Sequence, residues 1–215
     1  MLRFGYCERV SGDFWAEPLN ALTNGAFIVA ALAGLALLLR SGRRDWPAAL
    51  LVALVFIIGI GSFLFHTMPQ RWTLLADVIP IQLFAFSYFG LALWRFLGLG
   101  PAISVLGTLA FLAASFALSA GLAPLLPAGA RGSAGYASFV LALFGVAIAL
   151  WRKDESSARL IGLAGFVFAV SLTLRSLDGV LCQALPFGTH FFWHLLNAAV
   201  LYLLLRAAVT RSSLA

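Results

Sequence analysis

Apolar and polar positions alternate along this chain in long blocks rather than in a short period. Seven apolar runs are punctuated by brief polar segments: Pro18 to Leu39, Pro47 to Met68, Trp72 to Leu97, Pro101 to Leu122, Gly132 to Trp151, Ala158 to Leu177 and Gly188 to Val209. A helix of about 20 residues crosses a hydrocarbon core of about 30 Å, so each run has the length of one crossing. The runs are too long and too uniformly apolar for the alternating strands of a closed barrel. The pattern therefore predicts an all-α, integral membrane bundle of seven transmembrane helices. One membrane domain at 18–209 follows a tail at 1–17 and precedes a short tail at 210–215.

Composition reinforces this picture. Of 215 residues, 62% are hydrophobic and only 10% charged, against about 25% charged in soluble domains, and the mean hydropathy is +1.00. The formal charge of +6 would point to nucleic acid in a soluble protein. Here the arginines stand between apolar runs, where they set orientation instead, so no nucleic-acid partner is expected. With the N-terminus outside, the inner segments collect Arg40, Arg43, Arg44, Arg95, Arg152, Lys153, Arg159, Arg206 and Arg211, and the outer ones Arg3, Arg9, Arg71, Arg131 and Arg175. Nine against five predicts the N-terminus outside and the C-terminus in the cytoplasm. The first 17 residues lack the apolar core of a cleaved signal, so the tail is expected to persist. Alanine, leucine and arginine richness points to a bacterial inner membrane.

Candidate chemistry gathers at one level of this topology. His190 and His194 are four positions apart, on one helical face and one turn from each other. The remaining histidine, His66, closes the second run, Ser62 lies one turn before it, and Asp77 opens the third. Second, third and seventh runs all meet the outer face here. Buried imidazoles cost free energy unless satisfied, and one zinc ion satisfies three while keeping a fourth position for water. The expected chemistry is hydrolysis by a zinc-bound water whose pKa falls to about 7. Asp77 would act as general base and then acid, and Ser62 would donate to the oxyanion or support the metal shell. An ion pair with Arg71 or Arg175 is the structural alternative for Asp77, and helix packing beside Gly59 and Gly61 that for Ser62.

Other polar positions have modest readings. Arg175 and Asp178, three apart, can pair and support the site. Trp193 reads as packing or an interfacial anchor, and Asn20, Asn24 and Glu17 as an outer polar cluster, a hydrogen-bonding face or a cation site. Cys7 and Cys182 both fall on the outer side, where a disulfide persists, though two buried free thiols would fit equally. The single lysine, Lys153, lies in an inner loop, which excludes a retinal Schiff base. An intramembrane serine protease would use Ser62 and leave two histidines and Asp77 idle.

Tyr6-Cys7-Glu8-Arg9, Ala16-Glu17-Pro18-Leu19-Asn20-Ala21-Leu22-Thr23-Asn24, Gly61-Ser62 through His66, Leu75-Ala76-Asp77, Leu177-Asp178 through Cys182 and His190-Phe191-Phe192-Trp193-His194 resemble the alkaline ceramidases. That family belongs to a superfamily of seven-helix membrane hydrolases that includes the adiponectin-type receptors. The resemblance implies zinc-dependent hydrolysis of the amide of ceramide, or a related lipid amide, to a sphingoid base and a fatty acid. It implies zinc on His66, His190 and His194, catalysis by Asp77 and Ser62, and a Cys7–Cys182 disulfide. It also implies a second cation, Ca2+, for which the pattern is incomplete. Glu8 and Glu17 match, but Gly5 and Val10 stand where a carboxylate and an amide are expected, and Asp13 is the further carboxylate available. A membrane-borne lipid substrate is the expected partner, with no obligate protein partner evident. The competing reading is a non-catalytic lipid-binding or receptor-like protein with a structural zinc.

Overall fold

The computed structural model describes residues 6–212, so 1–5 and 213–215 of the expected tails, with Gly5 among them, lie outside the described residues. Seven helical spans are long and apolar enough to cross a membrane, and no strand occurs among the described residues. The first span is α1 (Pro18–Thr23) running into α2 (Gly25–Arg40). It is followed by α3 (Trp46–Thr67), α4 (Arg71–Leu91) and α5 (Pro101–Leu122), then α6 (Ala137–Leu150), α7 (Glu155–Leu181) and α8 (His190–Ser212). A tight 3-10 segment, Ala128–Tyr136, leads into α6, so the fifth span begins several residues earlier than its apolar run. The sixth is longer at both ends than its run, because Asp154 caps its start through Ser157 N–H and its last turns carry the polar Arg175 and Asp178.

Packing radiates from α3 and α8, which touch α2 and each other as well as their main partners α4 and α7. Phe27, Leu51, Val55, Ile58, Leu150, Ile161 and Leu205 form the most enclosed part of the core. The outside is equally apolar: Leu106, Phe116 and Ile148 on α5 and α6 are more than half exposed, as lipid-facing positions are. At the end of the bundle away from the histidines, Arg95 reaches both oxygens of Asp45, the residue that caps α3, at 2.7 and 2.9 Å. Arg95 sits in a π-helical turn, Ala92–Phe96, which extends α4 and carries this two-pronged contact.

Two glycines decide how closely the elements around the histidines approach. Pro80 has no N–H to offer the Ala76 carbonyl one turn back. That carbonyl faces Gly61, where any Cβ would overlap it. The missing side chain lets α3 and α4 touch backbone to backbone, one residue from Ser62 and one from Asp77. Gly188 has φ +66°, and a Cβ there would run into the Asp178 carboxylate and Cys7, so conformation and space both require glycine.

Replacing Gly61 with alanine is expected to push α4 outward and to cost about 1–3 kcal/mol of stability, as overpacking does. The measurement is the melting temperature in detergent, with Gly145→Ala as control, since a carbon added at Gly145 meets nothing.

Candidate functional site

The last turn of α3 and the first two turns of α8 bring His66, His190 and His194 together, each no more than 2% exposed. One ring nitrogen from each lies within 4.8 Å of the others, a group that could hold a metal ion. Hydrogen bonds fix which nitrogen is offered. The Thr23 hydroxyl gives its single proton to a backbone carbonyl, that of Leu19 at 2.8 Å, and so accepts from His194 Nδ1–H at 2.9 Å. The His194 lone pair is thereby on Nε2, which is buried without a partner. His66 Nδ1–H donates to Glu17 Oε2 at 2.5 Å, which turns its own Nε2 lone pair away from the carboxylate. His190 Nδ1 is likewise buried and unpartnered, and the Tyr6 ring lies on the His190 ring with centroids 3.9 Å apart. Imidazoles oriented by a carboxylate and a hydroxyl behind them are the arrangement that metal-ligating histidines show.

Asp77, in the second turn of α4, points to the same space. Ser62 lies across the Gly61 contact from it, and Ser62, His66 and Arg175 are all near enough to act on its charge. Asp77 Oδ1 is enclosed with no partner, and no ion pair joins Asp77 to Arg71 or Arg175 among the described residues. Asp77 Oδ1, His190 Nδ1, His194 Nε2 and Arg175 Nε are each buried without a partner, as are Arg9 Nη1 and the Oδ1 atoms of Asn20 and Asn24. Buried polar atoms are almost always satisfied in folded proteins. On His190 and His194, grouped with His66, such free nitrogens are what a bound ion would satisfy.

The segments that join the spans at the histidine end frame this centre. A disulfide joins Cys7 to Cys182 across 175 positions. Asp178 does not pair with Arg175, contrary to their spacing. Its Oδ1 accepts from Thr189 and His190 N–H at 2.7 and 2.9 Å, and its Oδ2 from Cys7 N–H at 3.1 Å. The first backbone donors of α8 have no partners within the helix, and they outcompete a neighbouring guanidinium for this carboxylate. Arg175 lies instead over Tyr136 and Trp193, 5.4 and 5.1 Å from their ring centroids. Trp193 is therefore buried packing, 5% exposed, rather than an interfacial anchor.

The acidic residues of the tail are all engaged. Glu8 accepts from Leu19 N–H at 2.6 Å and Asn20 N–H at 2.8 Å, closing the start of α1. Glu17 accepts from Arg9, from His66 and, at 3.1 Å, from the Asn20 amide. Burial alone would push the Glu17 carboxyl up, but the His66 hydrogen bond and charge and the Arg9 guanidinium outweigh it and hold it below the usual range. Asp13 sits apart and exposed, accepting from Ser11 at 2.7 Å. Glu8 and Glu17 do meet at Asn20. In this arrangement, however, their oxygens are taken by protein donors, and the cation beside Glu17 is Arg9. The amide oxygens of Asn20 and Asn24 are buried here without partners, so a further ion would find acceptors in them but would have to displace protein donors to gain either glutamate.

A narrow apolar cavity of about 90 Å³ runs among the helices from α2 to α8, its lining including Phe27, Tyr88, Trp193, Asn197 and Leu204. Trp193 adjoins His194, and Leu204 lies eleven residues on, roughly 16 Å further along the helix. Its apolar lining suits a hydrocarbon chain rather than a polar group.

A helical membrane bundle with a buried trio of imidazoles beside a carboxylate is the class of protein these features define. Residues 4–213 match the ceramidase family, essentially the whole chain, and the chain belongs to that family. Among curated proteins none matches it. Thr23, Arg9 and Tyr6 were silent as site residues in the sequence, since their contacts depend on how the helices are rotated against one another. The one available signal was Thr23 one turn from Asn20, on the face already rich in amides.

Removing the support behind the imidazoles should loosen a metal without removing a ligand. Glu17→Gln and Thr23→Val are each expected to weaken Zn2+ binding about 10–100-fold, read by competition with a chelator.

Proposed function

We propose that this protein is a zinc-dependent amidohydrolase of membrane lipids that cleaves the amide bond of ceramide, or of a related lipid amide, to a sphingoid base and a fatty acid. The observation that supports it best is the buried group of His66, His190 and His194 with unpartnered ring nitrogens, His194 lying 6.3 Å from the Phe27 ring that lines an apolar cavity. Membership of the ceramidase family supports the reaction class and a lipid substrate.

His66, His190 and His194 hold the zinc. When bound, it supplies Lewis acidity toward the amide carbonyl and lowers the pKa of water to about 7. The chain's own groups do the rest. Hydrolysis adds water across the C–N bond, so one proton must leave the attacking water and one must reach the departing nitrogen. Asp77 Oδ1 faces the centre without a competing donor and serves for both transfers. Ser62, 3% exposed and close to Asp77, donates to the oxyanion as charge develops. Glu17 and Thr23 keep His66 and His194 in the tautomer that leaves Nε2 free, and the apolar cavity lined by Trp193 takes a hydrocarbon chain and excludes water. Counting arginines on either side favours placing this centre on the outer, periplasmic face of a bacterial inner membrane.

Purified protein is expected to contain one zinc per chain and to release fatty acid from labelled ceramide. His66→Ala, His190→Ala and His194→Ala should each lose both. Asp77→Asn should keep the metal while kcat falls roughly 10²–10⁴-fold. Unchanged metal content in all three histidine variants would sink the assignment. Full zinc occupancy with no turnover of any lipid amide would instead favour a receptor-like binder.

A further inference from the structure

Four arginines are partly enclosed in the described structure: Arg9, Arg95, Arg175 and Arg211. Three of them face a carboxylate, Arg9 at Glu17, Arg95 at Asp45 and Arg211 at Asp154. Arg175 alone among them has none. It lies within a membrane-spanning helix, where an uncompensated charge is costly and marks function. Its guanidinium is held in place by neutral groups: the rings of Tyr136 and Trp193, and the Ser133 hydroxyl, which accepts from Nη1 at 3.1 Å. The Nε–H side of the fork is buried and meets no acceptor. These contacts fix orientation without neutralising charge. Electrostatic reach to Asp77, His190 and His194 puts the guanidinium at the border of the candidate catalytic centre.

Resting on the amidohydrolase reading above, we propose that Arg175 is a carboxylate-binding residue of this centre, which takes a lipid carboxylate on the open Nε side of its fork. Two sources share that chemistry. One is the fatty acid that amide hydrolysis must release. The other is a substrate whose amine half itself bears a carboxylate, an N-acyl amino acid rather than a neutral ceramide. A planar guanidinium matches a carboxylate in two parallel hydrogen bonds, and the aromatic rings on which it lies exclude the water that would weaken them. A phosphate monoester is disfavoured, because one guanidinium offsets one charge and Asp77 close by repels a second.

The test begins with binding, which needs no turnover. Palmitate and hexadecanol are titrated into the purified protein while tryptophan emission is followed, since Trp193 lies against the guanidinium. Palmitate affinity is expected to fall at least about tenfold in Arg175→Gln, equivalent to about 1.4 kcal/mol, with hexadecanol unchanged. Arg175→Lys, which keeps the charge without the fork, should fall between. Ser133→Ala, which removes only the Nη1 partner, guards against a folding defect in the charge variant. Kinetics then separate the two sources. A KM for N-palmitoylserine that rises in Arg175→Gln, while that for ceramide does not, assigns the carboxylate to the substrate. Weaker inhibition by palmitate alone assigns it to the product. Equal palmitate affinity in wild type, Arg175→Gln and Arg175→Lys would overturn the proposal. Absence of all amide hydrolysis alongside Arg175-dependent palmitate binding would overturn the hydrolase reading and leave the carboxylate site standing.

Discussion

The Asp178 carboxylate is the contact on which the histidine end of the bundle depends. A charged group in a spanning helix must find donors within the protein, since the surrounding medium offers none. Asp178 finds them in three backbone N–H groups from two distant segments: Cys7 in the tail, and Thr189 and His190 at the head of α8. That one set of bonds sets the height and rotation at which α8 begins, and with them the positions of His190 and His194. Gly188 bends the chain so closely over the carboxylate that no side chain fits between.

From there the polar groups form a continuous chain. The tail, held at Cys7 by both the disulfide and Asp178, brings Glu8 to the start of α1 and Arg9 to Glu17. Arg9 also donates to the His66 carbonyl at 2.8 Å, so ring and backbone of that histidine are gripped from the same side. Every member is buried or partly buried and nearly every donor is matched. Arg9 Nη1 and the Oδ1 atoms of Asn20 and Asn24 remain without partners at this end, as do buried atoms of Asp77, His190, His194 and Arg175.

Much of this was readable in the chain because length and spacing are strong signals in membrane proteins. Seven runs of bilayer length fixed seven spans, and the one-turn interval between His190 and His194 fixed a shared helical face. Boundaries drifted where polar residues belong to helices, as at Glu155 and Arg175. The 3-10 segment before α6 drifted for another reason, since glycine and alanine carry no periodic pattern. Spacing misled at Arg175 and Asp178. Three positions apart is a good distance for an ion pair, but helix ends compete for carboxylates, and only the turn at Gly188 reveals that α8 begins directly over Asp178. Thr23, Arg9 and Tyr6 could not be recognised because their roles exist only between helices.

The distribution of the site along the chain carries a consequence for biogenesis. Glu17, Thr23, His66 and Asp77 leave the ribosome early, whereas Asp178, Cys182, His190 and His194 belong to the final third. Until that portion threads into the bilayer, the early half presents a lone imidazole, a tail without its tether and a carboxylate aimed at nothing. A nascent chain interrupted before the last crossing is therefore inert, and the centre comes into being as a whole only when synthesis is nearly finished.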